Sequence, residues 1–211
     1  MKKHVRVYIE GGAEGKTADS DFRRGWKKFL TELHETARTN GYYSLEVVRG
    51  KGRGNAFHRF KTYKQNCPND LCVLLTDSEI GVPEGTRVWD VVAQREGDKW
   101  QCPDWASEGH LYLMVVFVET WLLTDPDALQ AFFKKDFDAR LLPTTNLEER
   151  SKADVERALR KATGKCKKGP YRHGQAHEII EIVDPEKVRR LRHGLRLFKE
   201  LGNLIKHQLG T

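Results

Sequence analysis

The sequence has few cysteines and no long apolar run, and both shortages exclude classes of protein. Its four cysteines in 211 residues form no Cys-x-x-Cys pair, so the pattern does not indicate a disulfide framework. No apolar stretch approaches the roughly 20 residues that span a bilayer. The first residues, Met-Lys-Lys-His-Val-Arg, lack the apolar core of a signal peptide. We therefore expect a cytoplasmic protein with reduced thiols and no membrane partner.

Two kinds of catalytic site also lack support. No Gly-x-Ser-x-Gly segment is present, so a serine hydrolase with a nucleophile elbow is not indicated. Cys67, Cys72, Cys102 and His110 could supply zinc ligands, but Cys72 lies inside a predicted buried strand, where cysteine behaves as a small hydrophobic residue. A zinc site is therefore disfavoured.

Positive charge is concentrated in the last third of the chain. Residues 150–211 contain 16 Lys and Arg against 7 Asp and Glu, a net charge of +9, whereas residues 1–149 contain 21 against 23, a net charge of −2. Lysine and arginine displace the counterions of a phosphate backbone. Nucleic acid is thus one candidate partner, and a solvated helical surface is the alternative interpretation.

The alternation of apolar patterns predicts an α/β fold. The order strand–helix–strand–helix–strand is typical of a right-handed parallel sheet flanked by helices, here of about four strands. The predicted strands are residues 5–10, 44–48, 71–76 and 110–118, and the predicted helices are residues 20–38, 56–65, 128–133, 151–162, 175–182 and the segment from Pro185.

We predict a core over residues 1–145, with an insertion at about 80–108, and a basic helical extension over residues 146–211 that packs on the core. The insertion holds three of the five tryptophans, Trp89, Trp100 and Trp105. They could stack on bases, but packing the insertion down is the better interpretation, because aromatic residues dominate small cores.

Acidic residues follow the predicted strands. Asp77 and Glu79 come directly after the apolar run 71–75, and Glu10 ends the first strand. The carboxyl ends of parallel strands lie at one edge of a sheet, where such folds bind their ligands. Clustered carboxylates repel each other unless a cation joins them, and oxygen ligands suit Mg²⁺ or Mn²⁺. We expect Asp77 and Glu79 to hold the metal.

Glu10 and Glu119 have more than one possible role. Glu10 would either complete the metal shell or act as a general acid or base. Glu119 follows the fourth predicted strand and would either join the metal site or face the dipole of its own helix.

Basic residues near the same sheet edge are candidates for binding phosphate. Arg53 lies in a glycine-rich loop after the second strand, and Lys152 begins a helix. Lys152 is a catalytic candidate because an ammonium group can stabilise the charge that develops on a scissile phosphate. A further basic loop surrounds Tyr171 and contains Lys165, Lys167, Lys168, Arg172 and His173.

The glycine-rich segment after the first strand offers a competing hypothesis. Glu10-Gly-Gly-Ala-Glu-Gly-Lys16-Thr17 lacks only the first glycine of the phosphate-binding pattern Gly-x-x-x-x-Gly-Lys-[Ser/Thr]. Asp77 after a buried strand would then support magnesium. A glutamate in place of the turn-forming glycine would put negative charge beside the phosphates, which argues against a degenerate P-loop protein.

Five segments carry a family resemblance: Val7-Tyr-Ile-Glu-Gly-Gly12, Gly52-Arg53 with Ala56-Phe57, Leu74-Leu-Thr-Asp-Ser-Glu79, Glu119-Thr-Trp-Leu-Leu-Thr-Asp125, and Lys152-Ala-Asp154 with Lys168-Gly-x-Tyr171. The glutamate and the acid-x-acid pair resemble the Toprim domain of topoisomerases, primases and OLD-family nucleases. The five segments together are similar to a bacterial Toprim-like family, domain of unknown function 4276, and span most of the chain.

The resemblance implies Mg²⁺-dependent phosphodiester cleavage in DNA or RNA. It implies that Glu10 is the general acid or base and that Asp77 and Glu79 are metal ligands, although Glu79 replaces the usual second aspartate. It also implies a bacterial setting, commonly phage defence, with an ATPase encoded nearby. The alternative hypothesis is a non-catalytic module that binds nucleic acid or the ATPase, since function depends on the site rather than the fold.

Overall fold

The structure, a computed structural model, describes residues 2–11 and 16–207, with the backbone alone for residues 16–18. The strands are β1 (His4–Ile9), β2 (Ser44–Arg49), β3 (Leu71–Asp77) and β4 (Leu111–Met114). The α-helices are α1 (Lys16–Phe29), α2 (Thr31–Thr39), α3 (Arg53–Asn66), α4 (Val88–Gln94), α5 (Val118–Leu122), α6 (Pro126–Phe133), α7 (Lys152–Thr163), α8 (Ala176–Ile179), α9 (Pro185–Val188) and α10 (Arg192–His207). None of the helices in the described part of the chain has the length and apolar character needed to cross a bilayer.

The four strands form one all-parallel sheet in the order β2-β1-β3-β4, which confirms the predicted fold class. β1 and β3 occupy the two central positions, and every residue of β3 is buried. A strand covered on both faces needs apolar side chains throughout, which explains the run from Leu71 to Leu75. The register pairs Ile9 with Leu75, so Glu10 leaves β1 beside the end of β3.

The fourth strand is shorter than predicted. Its apolar run continues to Val118, but β4 ends at Met114 and Val118 already begins α5. The run is apolar throughout because the segment after the strand is also buried: Val115, Val116 and Phe117 are each at most 1% exposed. Burial, rather than strand pairing, therefore sets this pattern.

The first predicted helix, residues 20–38, is two helices in the structure. α1 begins earlier, at Lys16, and the chain leaves helical geometry at Leu30, where φ is −94° and ψ is 19°. The hydroxyl of Thr31 donates to the carbonyl of Lys28 at 2.6 Å and so competes with the helical hydrogen-bond pattern at the break. The apolar periodicity continues across the break, so the sequence pattern does not show where α1 ends and α2 begins.

The helices after residue 150 follow the prediction in part. Ser151 caps α7 as expected, because its hydroxyl accepts from the backbone N–H of Asp154. The helix predicted over 175–182 is only a 3₁₀ turn and the short α8. The helix predicted from Pro185 is split into α9 and α10, and a Cβ at Gly194 would lie 2.2 Å from the carbonyl oxygen of Val188. Glycine is therefore needed in the first turn of α10, where it lies against the end of α9.

The carboxyl-terminal helix α10 packs against α2 and β4. Its stripe contributes Leu197, Leu201 and Ile205 to the core, and Phe198 lies 5.5 Å, between ring centroids, from Phe29. Leu195, on the same helix, lies outside this core and is 47% exposed.

The insertion folds onto the sheet with its own helix, α4. Trp89 and Trp100 are 3% and 6% exposed, and Trp100 stacks on Phe57 of α3 with ring centroids 4.5 Å apart. Trp105 packs against the same core. The tryptophans therefore pack the insertion against the core, as the sequence indicated. The insertion also places Arg95 and Asp98 at the carboxyl edge of the sheet.

Candidate metal centre and its basic surround

Three carboxylates meet at the carboxyl ends of β1 and β3. Glu10, Asp77 and Glu79 each offer an oxygen, and these oxygens all lie within 4.8 Å of one another. Parallel pairing of the two central strands produces this arrangement, because it brings their ends to the same edge. The structure thus brings together the three acids that the sequence predicted as one site.

Glu10 is held in place by β3. Its backbone N–H donates to the carbonyl oxygen of Leu75 at 2.9 Å. Its Oε2 accepts from the hydroxyl of Thr76 and from the backbone N–H of Asp77, the latter at 3.2 Å. Burial raises the pKa of Glu10, although these two hydrogen bonds oppose the shift. One carboxylate oxygen is therefore fixed on the protein, and a raised pKa suits a group that exchanges protons.

Asp77 is the most buried member of the cluster. It is 8% exposed, and its Oδ1 accepts from the backbone N–H of Val118 at 3.2 Å. Arg95 donates to its main-chain carbonyl and so secures the backbone there. Burial, followed by the charges of Glu10 and Glu119, raises the pKa of Asp77 well above its usual range. Negative charge at this position is not balanced by its protein neighbours.

Glu79 lies at the outer side of the cluster and is held between two cations. Its Oε2 is ion-paired with Lys152, and its Oε1 lies 3.2 Å from Nη1 of Arg53. The backbone of Glu79 is left-handed, with φ of +71°, and its N–H donates to Val116 at 2.9 Å. Such a conformation is costly for a residue with a side chain, and it is concentrated at functional sites.

Arg53 belongs to a wider ionic network. It lies in the first turn of α3 rather than in a flexible loop, which corrects the sequence-based expectation. Its Nε lies 2.9 Å from Asp98, which also pairs with Arg95. A Cβ at Gly50 would lie 2.9 Å from the carbonyl oxygen of Ile9. Glycine is therefore needed where the segment between β2 and α3 passes close to the end of β1. The helix start is thereby placed next to the acids.

Glu119 lies beside the cluster but not within it. It is completely buried on α5, and its Oε1 accepts from the hydroxyl of Tyr171 at 2.7 Å and contacts His173. Its Oε2 has no hydrogen-bond partner in the described part of the chain. The hydrogen bond to Glu119 raises the pKa of His173. Glu119 therefore contacts the basic loop directly, and its negative charge contributes to the raised pKa of Asp77.

The remaining residues of the basic loop lie on the surface. Lys165, Lys167, Lys168 and Arg172 are exposed. Lys168 Nζ lies 4.0 Å from the ring centroid of Phe132 on α6. The side-chain hydrogen bond with Arg140 lowers the pKa of Asp138, and the charge of Lys165 adds to that effect. In the described part of the chain, these four residues do not contact Glu10, Asp77 or Glu79, so their role in binding nucleic acid stays a prediction.

The donor chemistry of the cluster fits a hard divalent cation. It consists of oxygen atoms only, carries more negative charge than its immediate neighbours neutralise, and includes the buried Asp77. Mg²⁺ and Mn²⁺ prefer carboxylate oxygen. Asp77 and Glu79 are the residues that would hold such an ion, and Glu10 would either complete its shell or act as a general acid or base. Lys152 and Arg53 already contact Glu79, so a bound metal ion would share the Glu79 carboxylate with these two side chains.

The phosphate-binding alternative falls mostly outside the described residues. Gly12, Ala13, Glu14 and Gly15 are not among them, and for Lys16 and Thr17 only the helical backbone is described. Gly11 has a φ of +108°, which favours glycine, and a Cβ there would lie 2.9 Å from Nε2 of His177. The loop hypothesis is left without structural support from the residues that can be described.

The fold and the site define an α/β protein with an acidic centre at the carboxyl edge of a parallel sheet. The sequence profile of one protein family, described as domain of unknown function (DUF4276), matches residues 9–201. The chain belongs to this family. A search of curated proteins found no match, and a search of solved structures also found none.

Four residues of the site were not predicted to take part. Thr76 and Arg95 fix Glu10 and the backbone of Asp77, Asp98 links Arg53 to Arg95, and Tyr171 binds Glu119. Thr76 and Tyr171 lie within the segments that carry the family resemblance, and that resemblance is the sequence feature that could have pointed to them. Arg95 and Asp98 lie in the insertion, where no local pattern marks a residue that reaches a distant strand end.

Proposed function

We propose that this protein is a Mg²⁺-dependent nuclease that cleaves phosphodiester bonds in DNA or RNA, in the manner of a Toprim domain. The observation that carries the proposal is the cluster of Glu10, Asp77 and Glu79, whose oxygens lie within 4.8 Å of one another at the carboxyl edge of the sheet. When bound, the ion would supply Lewis-acid stabilisation to a phosphoryl group.

The protein's own cations would position and stabilise the phosphate. Lys152 and Arg53 approach the cluster from α7 and α3 and meet at Glu79. A phosphate beside Glu79 would lie within reach of both groups, which would balance the charge that builds up as the bond breaks. Lys152 is the proposed catalytic cation, and Arg53 is the proposed phosphate-positioning residue.

Glu10 is the proposed general acid or base. Its Oε2 is fixed by Thr76 and the backbone of Asp77, which leaves Oε1 for proton transfer. Its raised pKa brings it towards the pH at which a carboxyl group can both accept and release a proton.

A direct test combines metal binding with cleavage. Magnesium and manganese are titrated calorimetrically into the wild type, Glu10→Gln, an Asp77→Asn/Glu79→Gln double variant and, as a matched control, Glu35→Gln, which changes an exposed acid on α2. Labelled plasmid and total tRNA report cleavage. We expect the double variant to lose both metal binding and cleavage, Glu10→Gln to lose cleavage by at least about 100-fold, and the control to match wild type.

The competing function is a non-catalytic module that binds nucleic acid or an ATPase through the same surface. The contact of Glu79 with both Lys152 and Arg53 favours it, because part of the cluster's charge is balanced without a metal. The resemblance to the DUF4276 family adds the proposal of a phage-defence setting with an ATPase partner. If wild type binds nucleic acid but neither binds metal nor cleaves, alone or with the neighbouring gene's ATPase, the module is the better account.

A further inference from the structure

A cavity of about 680 Å³ opens directly beside the acidic cluster. It lies between the loop after β3 and helix α4, and it shares three residues with the site described above, Arg53, Glu79 and Arg95. Its volume falls within the range of pockets that enclose small organic ligands. If a substrate phosphate lies at Glu79, the part of the substrate attached to that phosphate can occupy the cavity.

The walls of this cavity combine apolar and polar groups. Ile80 is 66% exposed although it is a large hydrophobic residue, and with Pro83 and Val91 it gives the cavity an apolar side. The side chain of Gln94, at the end of α4, also lines the cavity, is exposed and has no hydrogen-bond partner in the described part of the chain. An apolar side with an amide at the rim suits a flat heteroaromatic ring with polar edges.

Two arginines give the cavity positive charge where it meets the acidic cluster. Arg95 is 9% exposed, and its guanidinium is held by Asp98 and by the main-chain carbonyl of Asp77. Arg53 is half-buried and contacts both Glu79 and Asp98. These charges favour an anionic substrate whose phosphate lies at the cluster while its next group enters the cavity.

We propose that this cavity binds a single unstacked nucleoside next to the scissile phosphate, so that the substrate is single-stranded nucleic acid. The inference rests on the proposed nuclease function, since it places the phosphate at Glu79, Arg53 and Lys152. Bases in an intact duplex are stacked and paired and cannot enter a cavity of this kind unless they are extruded, which breaks their pairing and stacking. A single strand presents its bases freely.

Binding rather than cleavage provides the test. The affinities of a fluorescent single-stranded DNA, the same sequence as a blunt duplex, and its RNA counterpart are measured with the full wild-type chain in EDTA, where a magnesium-dependent reaction stops. We expect the single strands to bind at least about tenfold more tightly than the duplex, the difference between DNA and RNA showing which is preferred.

Ile80→Asp is the diagnostic variant, and Leu141→Asp is its matched control, because Leu141 is also an exposed hydrophobic residue at 47% but lies outside the cavity. We expect Ile80→Asp to weaken single-strand binding by about tenfold and to leave duplex binding unchanged, and Leu141→Asp to change neither. Equal affinity for single strand and duplex, or no effect of Ile80→Asp on the single strand, overturns the proposal. The two variants are first compared with wild type by thermal unfolding, and Gln94→Ala, on an exposed side chain, replaces Ile80→Asp if that protein is unfolded.

The outcomes separate this inference from the proposed function. Tight, Ile80-dependent binding of single strands without any cleavage in magnesium would support the nucleoside cavity and count against the nuclease. Cleavage that depends on Asp77 but proceeds equally on duplex and single strand would support the nuclease and overturn the cavity.

Discussion

Lys152 and Glu79 form an ion pair that joins the first turn of α7 to the loop after β3. The pair brings the basic carboxyl-terminal part of the chain to the acidic edge of the sheet. The Lys152 ammonium also lies 5.0 Å from the ring centroid of Phe117, which limits its freedom to move away. Lys152 therefore affects both metal binding and the phosphate at the proposed site.

We predict that Lys152→Gln binds Mg²⁺ more tightly than wild type but loses catalysis. Lys152 contacts Glu79 directly. Where water screens such a pair, removing its positive charge is worth on the order of 1 kcal/mol, so the affinity should rise about fivefold. Cleavage should fall by about 100-fold, since the phosphate loses its cation. Calorimetry and a cleavage assay measure the two effects, with Lys152→Arg as the charge-preserving control. Weaker metal binding by Lys152→Gln would show that this ammonium does not oppose the ion.

Asp77→Asn should stabilise the metal-free protein at neutral and alkaline pH. The pKa of Asp77 is raised in the folded state, so ionisation costs more there than in the unfolded chain, and asparagine avoids that cost. The gain should be present above the raised pKa, where Asp77 is ionised, and disappear as the pH falls towards the ordinary aspartate range. We expect an increase in Tm of about 2–4 °C or more at pH 8 in EDTA.

Asp98→Asn is the matched control for this stability experiment. Asp98 is also buried, at 7% side-chain exposure, but it is paired with Arg53 and Arg95. Its neutralisation leaves the buried Arg95 without its carboxylate partner and removes one of the two partners of the half-buried Arg53, so it should lower the Tm. A Tm that falls equally in both variants would show that the charge of Asp77 is already compensated.

Tyr171→Phe should lower the free energy of unfolding by about 1–3 kcal/mol, because the fully buried Glu119 loses a hydrogen bond of 2.7 Å. Tyr112→Phe is the control, since the Tyr112 hydroxyl is buried but has no hydrogen-bond partner in the described part of the chain. That substitution should be neutral or slightly stabilising. Urea unfolding compares the two, and equal losses would contradict the importance assigned to the Tyr171–Glu119 bond.

His110 should make the protein sensitive to acid. Burial lowers its pKa to about 4, and its Nδ1 accepts from the backbone N–H of Ser107 at 3.1 Å. Because the folded pKa is depressed from 6.5, the stability that neutral His110 provides is complete above that value and is lost as the pH falls towards 4. The loss is up to about 3 kcal/mol.

Urea unfolding between pH 7 and pH 4 measures this dependence. We expect His110→Asn, which keeps an acceptor for Ser107 but does not protonate, to show a smaller loss of stability on acidification than wild type. His58→Asn changes an exposed histidine of α3 and should keep the wild-type slope. An unchanged slope in His110→Asn would assign the acid sensitivity to other groups, such as His177, whose pKa burial also lowers to about 4.

The sheet and the acids at its edge can be predicted from local sequence patterns. A run such as Leu71–Leu75 is fully apolar because a central parallel strand is covered on both faces, and strand-end residues such as Asp77 follow directly from it. These are local properties, so periodicity and chain order sufficed to predict them. Local patterns do not show where an element ends. The apolar run continues past β4 to Val118 because buried loops, like buried strands, consist of apolar residues.

The contacts around the acids depend on tertiary packing. Arg95 reaches Asp77 across 18 residues of chain, and Tyr171 reaches Glu119 across 52. Lys152 was a candidate from the sequence, but its contact with Glu79, across 73 residues, was not predicted. Such contacts depend on how separate elements pack, and no local pattern specifies that packing. The left-handed backbone of Glu79 and the cavity beside it have the same origin, because loop conformation is set by the neighbours that fix it.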